Sequence, residues 1–135
     1  MKKIFSLILF FLAFLCCSCI EIGISNTIFS KVEAAEYKQV QAYHILVPTE
    51  QQAFEIKKEI MTGQNRAERF SNFTKAARKY SKCPSGYDGG KLGWFGKGDM
   101  VKPFEEAAFA LPEGQVSDPV KTQFGYHLIY VVSKK

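Results

Sequence analysis

Residues 82–104 read KCPSGYDGGKLGWFGKGDMVKPF, and this stretch decides how the rest of the chain is interpreted. It holds six of the ten glycines. Because glycine permits tight turns and close backbone approach, the stretch predicts a loop, a short strand over 92–95 and a second loop leading into a helix. Composition alone favours an ordinary glycine-rich turn region with core apolar residues. Its spaced apolar residues are Leu92, Trp94, Phe95, Met100 and Phe104.

The first 34 residues differ in composition from the remainder. Lys2 and Lys3 precede an almost wholly apolar run over 4–15, which is the layout of a secretory signal peptide. A membrane-spanning helix needs about 20 apolar residues, so this run is short for one. An uncleaved signal anchor stays open, because isoleucines beyond the run extend it.

Three fates of this N-terminal segment follow from its sequence. Cleavage fits after small residues at 23–25 or at 32–34, and Cys19 is a candidate for lipid modification. A two-part organelle presequence is a further alternative. We therefore expect an exported domain, attached to a membrane if the anchor or a lipid is retained.

Residues 35–135 form one domain's worth of sequence. The chain carries 18 Lys and Arg against 13 Asp and Glu, a formal charge of +5, with both signs interspersed. This mixture does not predict a nucleic-acid surface. Cys83 is the only cysteine of the domain, so we expect no internal disulfide, and the thiol is either buried and inert or functional.

Local patterns place the first strand and two helices. Residues 43–47 are apolar and β-branched, which predicts a buried strand that Pro48 ends. Thr49 and Gln52 fit a capping box at the start of a helix. Residues 64–69 are polar and are predicted to be a loop, longer than usual, before a second helix capped near Ser71 or Asn72.

The C-terminal third predicts one helix and two extended segments. Residues 103–111 have an apolar helical face with proline in the first turn. Residues 116–120 form a short extended segment, and 126–132 form the strongest strand pattern of the chain. The predicted elements begin and end with strands and have a further strand between the helices. This order indicates an α+β fold with a mostly antiparallel sheet.

Five motifs, in order, resemble the parvulin family of peptidyl-prolyl cis/trans isomerases. They are HILV at 44–47, YSKCPS at 80–85, GGKLGWF at 89–95, GDMVKPFE at 98–105 and TQFGYHLI at 122–129. The resemblance covers nearly all of residues 35–135. It implies a parvulin-like fold, with a small four-stranded sheet surrounded by about four helices.

The resemblance also implies an active cleft and its residues. The expected catalytic residues are His44, Cys83 and His127. The expected substrate-binding residues are Leu92, Met100 and Phe104 around the proline ring, with Phe95 and Thr122 lining the same cleft. The substrate would be proline-containing segments of unfolded or flexible proteins, bound by a monomer without a metal or other cofactor.

The roles of the polar cleft residues are open at this stage. Cys83 would act through electrostatics or as a covalent nucleophile, and the histidines through a shared hydrogen bond or through acid–base chemistry. Two histidines and one cysteine lack a fourth zinc ligand in a matching motif. No basic loop follows Val47, so a preference for phosphorylated residues is not expected. A chaperone-like peptide-binding module is the alternative function, and a redox thiol protein is the weakest.

Overall fold

The structure, a computed structural model, describes residues 36–135; the predicted signal segment, its cleavage sites and Cys19 lie outside these residues. The strands are β1 (Gln39–Val47), β2 (Lys91–Gly96), β3 (Val120–Thr122) and β4 (Gly125–Lys134). The helices are α1 (Glu50–Ile60), α2 (Arg66–Tyr80), a 3-10 helix (Pro84–Asp88) and α3 (Lys102–Ala110). Within the described part, no helix is both long enough and apolar enough to span a bilayer.

The four strands form one antiparallel sheet in the order β2-β1-β4-β3. The first and last strands of the chain are therefore the two central strands. This arrangement confirms the expected α+β fold, with three α-helices and one 3-10 helix around the sheet.

Helices cover both faces of the sheet, because the residues of β1 alternate between two apolar clusters. Ile45 and Val47 pack with α1 and α2, whereas Val40 and Ala42 pack with α3. The face toward α3 also carries His44, which lies edge-on to Phe104. Alternation along one strand thus sends the histidine to the side of α3.

The start of α2 corrects one prediction from the sequence. The predicted loop over 64–69 is the first turn and cap of α2, which begins at Arg66 rather than near Ser71. Asn65 is the N-cap: its side chain accepts a hydrogen bond from the Glu68 backbone N–H at 2.9 Å and donates to the Glu68 carboxylate at 2.8 Å. The pattern was missed because this turn is solvent-exposed and lacks apolar periodicity, so only its capping residues mark it.

The other elements match their predictions with shifted ends. Thr49 caps α1, accepting a hydrogen bond from the backbone N–H of Gln52. Strand β1 begins four residues before the predicted start at 43. Within the predicted segment 116–120, Val116 makes only an isolated bridge to Tyr130, and β3 starts at its last residue.

Candidate active site

Two buried histidines meet on the α3 face of the central strands. In the register of β1 against β4, Leu46 pairs with His127 and His44 pairs with Ile129. The two histidines are therefore diagonal neighbours on one face. Their Nδ1 atoms lie 3.1 Å apart, and their rings are nearly parallel, with an angle of 15° between the two ring planes. Only 6% of His44 and 5% of His127 is exposed.

A chain of hydrogen bonds runs through this histidine pair. Thr122 Oγ1 lies 2.8 Å from His127 Nε2, and Ser85 Oγ lies 2.8 Å from His44 Nε2. The backbone N–H of Phe124 donates to Thr122 Oγ1 at 3.2 Å. The Thr122 hydroxyl hydrogen is then best directed at His127, because its other acceptor is a backbone carbonyl at 3.5 Å.

The direction of this chain assigns the tautomers. If Thr122 donates to His127 Nε2, His127 must carry its proton on Nδ1 and donate to His44 Nδ1. His44 then carries its proton on Nε2 and donates to Ser85. All four ring nitrogens are engaged when both rings are neutral.

Burial keeps both rings neutral. The pKa of His44 falls from its ordinary 6.5 to about 4, first because burial removes water from the charged form and second because His127 lies beside it. Burial also lowers the pKa of His127. A proton added at His44 Nδ1 would face the Nδ1–H of His127, so protonation and the shared hydrogen bond exclude each other.

The cavity above the histidines has a volume of about 440 Å³. Most of the expected cleft residues line it: His44, Cys83, Leu92, Met100, Phe104 and His127. The sequence did not single out five further lining residues: Leu46, Lys82, Pro84, Asp99 and Val101. Phe124, which belongs to the motif at 122–129, also lines it. Apart from the charged side chains of Lys82 and Asp99, the cavity is mainly apolar.

Two expected cleft residues lie behind the cavity and do not line it. Phe95 is 3% exposed and packs against Phe104, with ring centroids 6.0 Å apart. Thr122 contacts the site through its hydrogen bond to His127. Phe95 therefore supports the wall of the pocket, and Thr122 orients a ring.

A β-bulge in β2 turns Leu92 toward the cavity. Ala42 pairs with Gly93 and Tyr43 with Lys91, so Leu92 has no residue opposite it. Gly93 adopts φ +80°, a left-handed conformation typical of such bulges. Leu92 packs with the α3 cluster as Phe95 does, although strict alternation would place residues three apart on opposite faces.

The segment that carries Cys83 is fastened to β1 at both ends. The backbone N–H of Lys82 donates to the Leu46 carbonyl, and the N–H of His44 donates to the Gly90 carbonyl, both at 2.8 Å. Gly90 has φ +87°, and a Cβ there would lie 2.2 Å from the carbonyl oxygen of His44. Between these bonds, the 3-10 helix places Ser85 against His44.

Ser85 is the polar residue of the site whose role the sequence did not reveal. In the sequence, Ser85 stands only in the motif at 80–85 and in the loop predicted before the strand over 92–95. A serine two residues after the cleft cysteine is a usable local signal, but its partner His44 is 41 positions away.

Comparison with known proteins identifies the domain type. Residues 44–133 match the family model of the PPIC-type PPIase, or rotamase, domain. The foldase protein PrsA of Geobacillus kaustophilus is 49% identical over 98 residues, covering 72% of this chain and 32% of that protein. The putative peptidyl-prolyl cis-trans isomerase Cbf2 of Campylobacter jejuni is 43% identical over 122 residues, covering 78% of this chain and 44% of its own length.

Solved structures share the fold at similar identity. A Campylobacter jejuni structure, described with PEB4 and Cj1289 as SurA-like chaperones, has a TM-score of 0.70 at 43% identity over 74% of this chain and 40% of its own. The parvulin NmPin of Nitrosopumilus maritimus has a TM-score of 0.61 at 39% identity, over 71% of this chain and 97% of its own. The chain thus spans almost a whole small parvulin but only about a third of the PrsA relative.

Proposed function

The chain belongs to the parvulin, or PPIC-type, family of peptidyl-prolyl cis/trans isomerases, and on that premise we propose that it rotates X–Pro peptide bonds in the cleft above His44 and His127. The observation that carries this proposal is an apolar pocket directly over a neutral, hydrogen-bonded histidine pair. The proposed substrates are proline-containing segments of unfolded or flexible proteins.

The reaction needs stabilisation of a twisted amide and no bond cleavage. Rotation about a peptide bond has a barrier of about 18–20 kcal/mol, because the planar form is held by resonance. The twisted amide has less charge separation than the planar one, so an apolar site desolvates it at a lower cost. A cleft that binds the twisted form more tightly than the planar form therefore accelerates exchange.

Leu92, Met100 and Phe104 supply the apolar grip in this proposal. All three line the cavity, and Phe104 is held from behind by Phe95 and edge-on by both histidine rings. A ring clamped by aromatic neighbours stays in place while the peptide on one side of the amide turns. The pocket thus fixes the proline ring, and the rest of the substrate rotates against it.

The histidines act in this proposal as a rigid polar floor. Each ring nitrogen already has a partner, and the lowered pKa values keep both rings uncharged near neutral pH. Cys83 lines the same cavity, where its thiol shapes the electrostatics beside the rotating amide. Rotation requires neither proton transfer nor a covalent intermediate, so this arrangement is sufficient.

Export of the chain is part of the proposal. It is supported by the signal-like residues 4–15 and by relatives described as a foldase and as periplasmic or SurA-like chaperones. Assistance to the folding of exported proteins would follow. Mass spectrometry of the mature N-terminus would distinguish cleavage, a lipid on Cys19 and a retained anchor; an intact chain in the cytoplasm would contradict export.

The test of catalysis is a protease-coupled assay with a short Ala-Ala-Pro peptide. We expect faster cis-to-trans exchange with the purified protein, unchanged by a metal chelator. Phe104→Ala should remove most of the rate, whereas Phe54→Ala, an exposed phenylalanine of α1, serves as the matched control. Absence of any acceleration by the folded protein would refute the proposal. Loss on chelation with recovery on adding metal would refute its cofactor-free form.

The alternative function is a chaperone-like module that binds peptides without useful turnover. It is favoured by the structural similarity to a SurA-like chaperone. The two functions separate in one comparison: a pure binding module would suppress aggregation of a proline-free client while leaving peptide exchange unaccelerated. The isomerase proposal expects the opposite result: accelerated exchange of the proline peptide and no suppression of aggregation of the proline-free client.

A further inference from the structure

We propose that Leu46, Lys82 and Phe124 form a specificity subsite, named here the flanking subsite, for the side chain that precedes the substrate proline. The subsite would favour large apolar side chains, favour acidic over basic ones, and so set which X–Pro bonds are turned over. This inference rests on the proposed isomerase function, and its test separates the two.

The apolar part of the flanking subsite is continuous with the proline pocket. Leu46 and Phe124 line the same cavity as Phe104 and are partly exposed there. Phe124 is 62% exposed in the turn between β3 and β4. The next residue, Gly125, brings this turn against Leu46, since a Cβ at 125 would lie 3.3 Å from Leu46 Cδ1. An apolar side chain laid on this surface would remove both residues from water.

Charge distinguishes the two ends of the cleft. Lys82 is exposed, lines the cavity, and is bonded through its backbone to Leu46 near the C-terminal end of β1. Asp99 lines the cavity from the opposite end, because its carboxylate accepts from the Gly96 N–H, and Gly96 pairs with Gln39 at the start of β1. Among ion pairs within residues 36–135, none involves Lys82. A carboxylate preceding proline would complement Lys82, and an ammonium group would be repelled.

Chain connectivity indicates which substrate residue occupies the flanking subsite. The carbonyl that rotates belongs to the residue before proline, and the proposed function places it beside Cys83. Lys82 is the chain neighbour of Cys83, and Leu46 is bonded to the backbone of Lys82. The side chain attached to that carbonyl-bearing residue therefore reaches the flanking subsite, about one residue length from the proline pocket.

The experiment compares kcat/KM for four peptides, Ala-Xaa-Pro with Xaa as Leu, Ala, Glu or Lys. We expect Leu to exceed Ala about fivefold, from partial burial of the longer side chain. We expect kcat/KM for the Glu peptide to exceed that for the Lys peptide about fourfold. This is the size of effect that an exposed ion pair with Lys82 and the corresponding repulsion of an ammonium group produce together. Ratios measured within one protein preparation cancel differences in active concentration and stability.

Two variants test the two halves of the flanking subsite separately. Phe124→Ala should bring the Leu-to-Ala ratio toward one and leave the Glu-to-Lys ratio unchanged. Lys82→Glu should invert the Glu-to-Lys ratio. Lys75→Glu makes the same change in net charge on α2, which packs on the other face of the sheet, and should change neither ratio.

The outcomes decide between the two levels of the proposal. Turnover of Ala-Ala-Pro with ratios that neither variant changes would overturn the flanking subsite and leave the isomerase function standing. No turnover of any peptide by the folded protein would overturn both. A second series, Ala-Pro-Xaa, should show flat ratios; a preference that appears only there would overturn the assignment to the preceding residue.

Discussion

Acidification should destabilise the folded domain through its two buried histidines. Both have a lowered pKa in the fold, so between the folded and the ordinary pKa the unfolded chain binds more protons than the folded one. The contribution of the neutral histidines to the free energy of unfolding is then fully present above pH 6.5. It decreases as the pH falls toward about 4, where His44 protonates in the fold. The sign follows from burial of neutral rings and is opposite to that of a histidine paired with a carboxylate.

The size of the effect follows from the shift at His44. A difference of one pKa unit corresponds to about 1.4 kcal/mol, so a fall from 6.5 to about 4 removes about 3 kcal/mol of unfolding free energy across the window. His127 adds to this loss with the same sign. Small domains have about 5–15 kcal/mol in total, so the loss is a large part of it.

The assay is urea unfolding at pH 7.5, 6.5, 5.5 and 4.5, with the double variant His44→Gln/His127→Gln as the control. Because the chain has only two histidines, the difference in pH dependence between the two proteins isolates their contribution from that of the carboxylates. ¹⁵N NMR of the imidazole rings in the unaltered protein gives a second measurement: the His44 ring should be neutral at pH 5.5, and His127 should titrate with a pKa below its ordinary 6.5. Equal pH dependence of both proteins, or a charged His44 ring at pH 5.5, would refute the reasoning.

Three further predictions address the pocket, the substrate and the backbone. Cys83→Ser should reduce turnover but leave a measurable fraction, whereas Phe104→Ala should reduce turnover more and also cost about 3–5 kcal/mol of stability. Peptide assays on variants shown to be folded by circular dichroism check this. An inactive Cys83→Ser beside a Phe104→Ala of normal activity would restore the covalent mechanism. A phosphoserine before proline should change kcat/KM by no more than a few fold, because a single exposed lysine at the cleft attracts a phosphate much less than a cluster of basic side chains would. A gain of a hundredfold or more would contradict this prediction. Gly90→Ala should destabilise more than Gly93→Ala in urea titrations, since both have positive φ but only position 90 has a carbonyl 2.2 Å from the new Cβ; equal losses would count against the clash.

Local sequence patterns predicted most elements but not all of their ends. Strand β4 and helix α3 were found because their apolar periodicity spans the whole element. The start of α2 was missed because its first turn is solvated and carries no apolar face. Asn65 and Glu68 did mark it, as a cap that the hydrophobic pattern alone did not reveal.

The candidate site divides in the same way. The candidate catalytic residues His44, Cys83 and His127 come from the motif resemblance, and the structure brings all three to one cavity. The direction of the hydrogen-bond chain and the partnership of Ser85 with His44 were not predicted. These depend on contacts between residues far apart in sequence.

The sequence by itself predicted the type and approximate position of most strands and helices, because periodicity and capping are local properties, and its motifs supplied the candidate site residues through a family resemblance. The tertiary structure alone decided the register that sets His44 beside His127 across 83 positions. It also decided the bulge at Gly93 that turns Leu92 into the pocket while Phe95 stays behind the wall. The physical reason is that strand pairing is selected by burial summed over both faces of the sheet, and no single segment contains that sum.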